Sequence, residues 1–198
     1  MSDFVAFVQL GFGHIVSIEA MDHLLFLLAL AAVYSVRDWR SVLWAASAFT
    51  VGHSLTLGLA VTKLLVLPSA LIEFLIPVTI VLAAVANLLA IRGEDRSARP
   101  PVVLMGAFGL VHGAGFANYL RSLFLDSIAA PLFGFNVGIE LGQLSVLAVV
   151  FSAFAVIDRI GRAAPLPDRW PALRLRAVAL SSVVAVVAAA WAVERAPW

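Results

Sequence analysis

The stretch GFGHIVSIEAMDHLLFLLAL, residues 11–30, concentrates His14, Glu19, Asp22 and His23 at the mouth of a long apolar run. Imidazole and carboxylate together suit a divalent transition metal such as Ni, Co or Zn, and the chain has no cysteine to add a thiolate. Glu19, Asp22 and His23 are spaced i, i+3, i+4 and so share one face of a helix. His14 and His23 lie nine residues apart, which on a continuous helix is about 13 Å of rise and opposite sides. The two can meet on one ion only if the helix breaks between them or His14 reaches in from a loop. Gly11 and Gly13 make a break plausible near the entry.

Three other segments carry groups of the same kind. Thr50, His53 and Ser54 form a compact polar face, and the hydroxyls are placed to fix the imidazole tautomer. His112 is flanked by glycines in GLVHGAGFAN, residues 109–118. Asn136, Glu140 and Gln143 follow i, i+4, i+7 on one stripe, with Gly134, Gly138 and Gly142 on nearly the opposite side. The glycine stripe is a close helix-packing surface. Glu73 and Asn87 share a face of a further segment but sit near its two ends, with Pro77 between them.

The elements that must position these groups follow from composition. The chain has 198 residues, 63% hydrophobic and 13% charged, with a mean hydropathy of +1.03. Soluble domains run at about 45–50% apolar and about 25% charged. The apolar residues come in continuous runs of a length that spans a bilayer as helix, not in alternating strands. The expected fold is therefore all-α, a polytopic transmembrane bundle forming a single domain over 1–198. Six spans can be drawn, at about 14–36, 40–62, 70–91, 101–121, 128–157 and 175–193. Residues 3–13 read as an interfacial lead-in or an extra turn of the first helix.

Arg37 is the first basic residue, so the basic start of a cleavable signal peptide is missing. The net charge of +1 and the absence of a basic run give no sign of a nucleic-acid partner. Ten Lys and Arg residues, among them Arg37, Arg40, Arg96, Arg99 and Arg169, fall on one side of the six-span scheme. Only Lys63, Arg121 and Arg195 fall on the other. The positive-inside rule then puts both termini outside, in a bacterial inner membrane.

In that orientation Asp22, His23, His53, His112, Asn136 and Glu140 all fall roughly 12–18 Å below the outer surface. Ionisable groups inside a membrane are expensive and mark functional sites. Their shared depth on four helices makes one site the economical reading.

Four blocks, GFGHIVSIEAMDHLLFLLAL, AFTVGHSLTL (48–57), FGLVHGAGFA (108–117) and FNVGIELGQL (135–144), resemble those of the HupE/UreJ-type membrane proteins, regarded as nickel or cobalt permeases. The resemblance covers about residues 11–150. It implies a metal set of His14, Asp22, His23, His53, His112 and Glu140, with Glu19, Thr50, Ser54, Asn136 and Gln143 around it. Better-studied permeases carry His-Pro in the first block and then Gly-x-Asp-His; here Ile15 follows His14 and Ala20 replaces that glycine. The resemblance is thus to a broader branch of the family.

Three functions fit these observations. A transition-metal permease would capture a hydrated cation from outside; with no Walker motif, transport would be passive or gradient-driven. A metal-dependent intramembrane hydrolase acting on a lipid or lipoprotein would use the same ligands, with Glu19 or Glu140 as general base. A non-catalytic subunit of a homo-oligomer or larger membrane complex would use its polar groups as interhelical glue.

Overall fold

A computed structural model describes residues 3–92, 101–117, 120, 128–163 and 172–197. Arg96, Arg99, Arg121, Arg169 and the end of the expected 101–121 span lie outside these residues. Among the described residues seven α-helices follow one another: α1 (Asp3–Val16), α2 (Met21–Ala32), α3 (Trp39–Val61), α4 (Ser69–Arg92), α5 (Val102–Gly115), α6 (Ala129–Ala163) and α7 (Ala172–Glu194). There are no strands among the described residues.

Among the described residues four of the helical stretches are long and apolar enough to cross a membrane, and α1 and α2 pass the same test only when taken together. The short helix α5 has 14 residues, about 21 Å against a hydrocarbon core of about 30 Å. Where a 14–36 helix was expected, the chain makes two helices inclined at 62°. The N-terminal residues 3–13 belong to the first of them. Gly11 and Gly13 do not break it; the break comes at Ser17, whose backbone is extended (φ −77°, ψ 150°) and whose Oγ accepts from the Glu19 N–H at 3.1 Å. Ser is a preferred N-cap because its hydroxyl satisfies an amide that a helix start leaves open.

The helices pack chiefly as pairs, α1 with α6, α3 with α5 and α4 with α7, and α2 threads between α4, α6 and α7. Glycines determine the first two pairings. A Cβ on Gly138 would overlap the Val8 carbonyl, and one on Gly11 the Phe135 carbonyl. Likewise Gly52 lies on the Gly106 carbonyl, Gly109 on that of Phe49 and Gly113 on that of His53. In a bilayer, where apolar side chains gain little by leaving lipid, such backbone contact is a main source of helix association.

Polar ties hold α2 and α7 at intervals. Asn87 of α4 donates to the Ala29 carbonyl at 2.8 Å and to Ser181 Oγ at 3.3 Å. Asn87 thus joins α2, α4 and α7. Arg176, 6% exposed, pairs with Asp158 at 2.5 Å, donates to the Tyr34 carbonyl at 2.7 Å and lies 4.0 Å from the centre of the Phe154 ring. Large apolar side chains such as Phe133, Val149, Leu89 and Val186 face outward from the bundle, as lipid-facing positions do.

Candidate metal centre

The break at Ser17 has a direct consequence for the histidines. It turns α2 back so that His23 meets His14, with ring centroids 4.8 Å apart. His53 arrives from α3, 5.9 Å from His23 and 6.4 Å from His14. The candidate ligand nitrogens of His14, His23 and His53 all lie within 4.8 Å of one another. His112 arrives from α5, its ring 5.2 Å from that of His23. The Gly109 and Gly113 contacts on α3 are what let it come so close. All four histidines of the chain therefore gather at one place.

Phenyl rings enclose them. Phe26 stacks on Phe49 at 4.5 Å, and Phe116 on Phe135 at 5.3 Å. Phe116 lies 4.0 Å from His14, and Phe49 lies 5.0 Å from His112. Inside this shell five buried ring nitrogens have no hydrogen-bond partner among the described residues: Nε2 of His14 and His23, both nitrogens of His53, and Nδ1 of His112. Buried polar atoms are almost always partnered. A bound ion takes one nitrogen from a ring, so it would satisfy one orphan on each of His14, His23 and His53, with His112 Nδ1 nearby as a fourth.

One nitrogen is accounted for. Thr79 of α4 donates its hydroxyl to the Ile76 carbonyl at 2.7 Å and meets His112 Nε2 at 3.0 Å. A hydroxyl has one proton; with it on the Ile76 carbonyl, the Thr79 oxygen accepts here and His112 Nε2 carries the N–H. In the neutral ring Nδ1 is then the lone pair, the form a metal needs. Thr79 was not singled out from the sequence.

The remaining expected residues fall into other arrangements. Asp22 sits in the first turn of α2, but its carboxylate accepts from Arg195 Nη1 at 3.0 and 3.3 Å. Glu19 is exposed in the 3-10 turn before α2. Glu140 accepts from Ser47 Oγ of α3 at 2.5 Å. Gln143 accepts from Thr50 at 3.0 Å, so α6 and α3 are joined by two successive side-chain bonds. The Asn136 carbonyl oxygen is buried with no partner among the described residues. Ser54 donates to the Thr50 carbonyl of its own helix, and the Thr50 hydroxyl, used on Gln143, lies 3.2 Å from the Ala46 carbonyl, leaving His53 without a hydroxyl partner.

A profile of the HupE / UreJ proteins matches residues 1–195. The chain belongs to the HupE / UreJ family. The match extends the resemblance from the 11–150 blocks to essentially the whole chain, α7 included. Membership and the apolar helices together mark an integral membrane protein, and the family and the histidine cluster both point toward nickel or cobalt handling. No curated protein and no solved structure matches the chain.

Proposed function

We propose that this HupE / UreJ protein is a permease for a Ni- or Co-type divalent cation, which it takes up at His14, His23 and His53 with His112 as a fourth imidazole. The observation that carries the reading is the convergence of every histidine in the chain with five unpartnered ring nitrogens. Metal–imidazole bonds are about 2.0–2.1 Å, so a nitrogen set spread over 4.8 Å closes on an ion by side-chain shifts of about 1 Å. Neutral imidazoles without a thiolate suit borderline cations over Cu(I). The Asp22 and Glu140 carboxylates are held by Arg195 and Ser47.

A hydrolase would need a base against the water on the ion. Of the two carboxylates expected as that base, Glu19 is exposed and Glu140 accepts from Ser47 Oγ, which favours transport. The reading includes one transmembrane domain over 1–198, with six membrane-embedded segments (the short α5 and the bent α1–α2 each counting as one). Both termini face outward from a bacterial inner membrane.

The test is metal analysis and titration of the purified chain at neutral pH. The wild type should hold one Ni2+ or Co2+ per chain. His23→Ala and His53→Ala should each weaken binding at least tenfold and abolish uptake by cells. A wild-type chain that binds no divalent cation at neutral pH would refute the proposal.

A further inference from the structure

A cavity of about 300 Å3 opens at the end of the bundle where α3 finishes and α4 begins. Ala60, Leu67, Glu73, Ala114, Gly115 and Ala117 are among its walls. Among the described residues Glu73 is the one ionisable group lining it, and it is exposed. Two of the three helices that wall the cavity, α3 and α5, carry His53 and His112 farther in, and the third, α4, carries Thr79. His53 lies seven residues before Ala60, His112 two before Ala114, and Thr79 six beyond Glu73, so the two sites are separated by roughly 3–10 Å of helix. At the end of α5, Gly115 and Ala117 line the cavity, while the intervening Phe116 turns its ring onto His14 at 4.0 Å. One aromatic residue thus has the cavity on either side of it in sequence and the cluster under its ring.

We propose that this cavity is the vestibule through which a hydrated divalent cation reaches the histidines, with Glu73 as its collecting charge and Phe116 as the barrier. The inference rests on the histidines being the cation site. Size supports it. Six waters at about 30 Å3 of liquid volume each need roughly 180 Å3, so the cavity admits a fully hydrated ion. A single carboxylate in a recess raises the local cation concentration and speeds encounter. Beyond it the phenyl shell is apolar, and hydrophobic constrictions of this kind gate by excluding water. An ion passing Phe116 gives up hydration water and gains imidazole nitrogens.

The absence of cysteine makes the test clean. Ala114→Cys puts a single thiol on the cavity wall, and Leu67→Cys supplies a second, independent position on its loop side. The full-length chain in detergent is reacted to completion with a bulky charged thiol reagent, followed by intact mass. Stopped-flow Co2+ association and equilibrium stoichiometry are then measured. Modification should slow association at least tenfold and leave the stoichiometry unchanged. Glu73→Gln should slow association several-fold at low ionic strength and have little effect at high salt. Modified chains that associate at the unmodified rate, or thiols at both positions that never react, would overturn the vestibule while cation binding by the wild type upholds the site. A wild-type chain that binds no cation would overturn both.

Discussion

Thr79 decides which nitrogen of His112 faces the cluster, because its one proton is already spent on the Ile76 carbonyl. Thr79→Val keeps the shape and removes the acceptor, leaving an N–H buried without a partner, at a cost of about 1–3 kcal/mol. Loss of such an orienting group lowers metal affinity about 10–100-fold. Calorimetric titration with Ni2+ should show that drop for Thr79→Val, with Thr79→Ser close to wild type. Equal affinities in all three would remove Thr79 from the site. From sequence, the hydroxyls credited with this task were Thr50 and Ser54, which share a helix face with His53. Helical hydroxyls bond back to their own carbonyls; Ser54 and Thr79 do so, while Thr50 is turned to Gln143. Whether one also touches an imidazole depends on a neighbouring helix, which spacing along one helix cannot reveal. The four histidines were legible because an ionisable group in an apolar run stands out by type alone.

Helix phase predicted the elements well and their interruptions poorly. The stripe Gly134, Gly138, Gly142 was recognisable by its period, and it packs on Phe4, Val8, Phe12 and Ile15 of α1. The break between His14 and His23 was recognised as a condition for their meeting, yet it falls at Ser17, where an N-cap hydroxyl precedes Glu19 and Asp22. Serine followed by acids is the signal that could have located it. Gly13, the suspected hinge, has nothing within 4 Å of where a Cβ would stand. Gly113 is the opposite case, since its Cβ would collide with the backbone of His53. Gly113→Ala should force α5 away from α3, carry His112 out of the cluster, lower the melting temperature and reduce cation affinity at least tenfold. Gly13→Ala should match wild type or melt slightly higher, as alanine is favoured over glycine within helices by about 0.5–1 kcal/mol. Thermal melts and Ni2+ titration of both variants make the comparison, and indistinguishable variants would mean that the α3–α5 contact does not position the site.

At the scale of the molecule, the course of the helices and the placement of charge bear on one another. Helices α3 and α4 are joined by a short exposed connection around Leu64, 78% exposed, at the end of the bundle that carries the cavity. The opposite end has the turn at Val36, 54% exposed, beside the Arg176–Asp158 tie that also reaches Tyr34. Arg37 and Arg40 belong to the Val36 end with Arg176, whereas Lys63 and Arg195 are the basic residues at the Leu64 end among the described residues. Basic residues close to a span are retained on the cytoplasmic side, so the cavity end should face out and the Arg176 end in. In cells whose chain carries one introduced cysteine, a membrane-impermeant thiol reagent should label Leu64→Cys in intact cells and Val36→Cys only after permeabilisation. The reverse pattern would invert the topology. The histidines would then draw their cation from the cytoplasm, and the same geometry would describe an exporter.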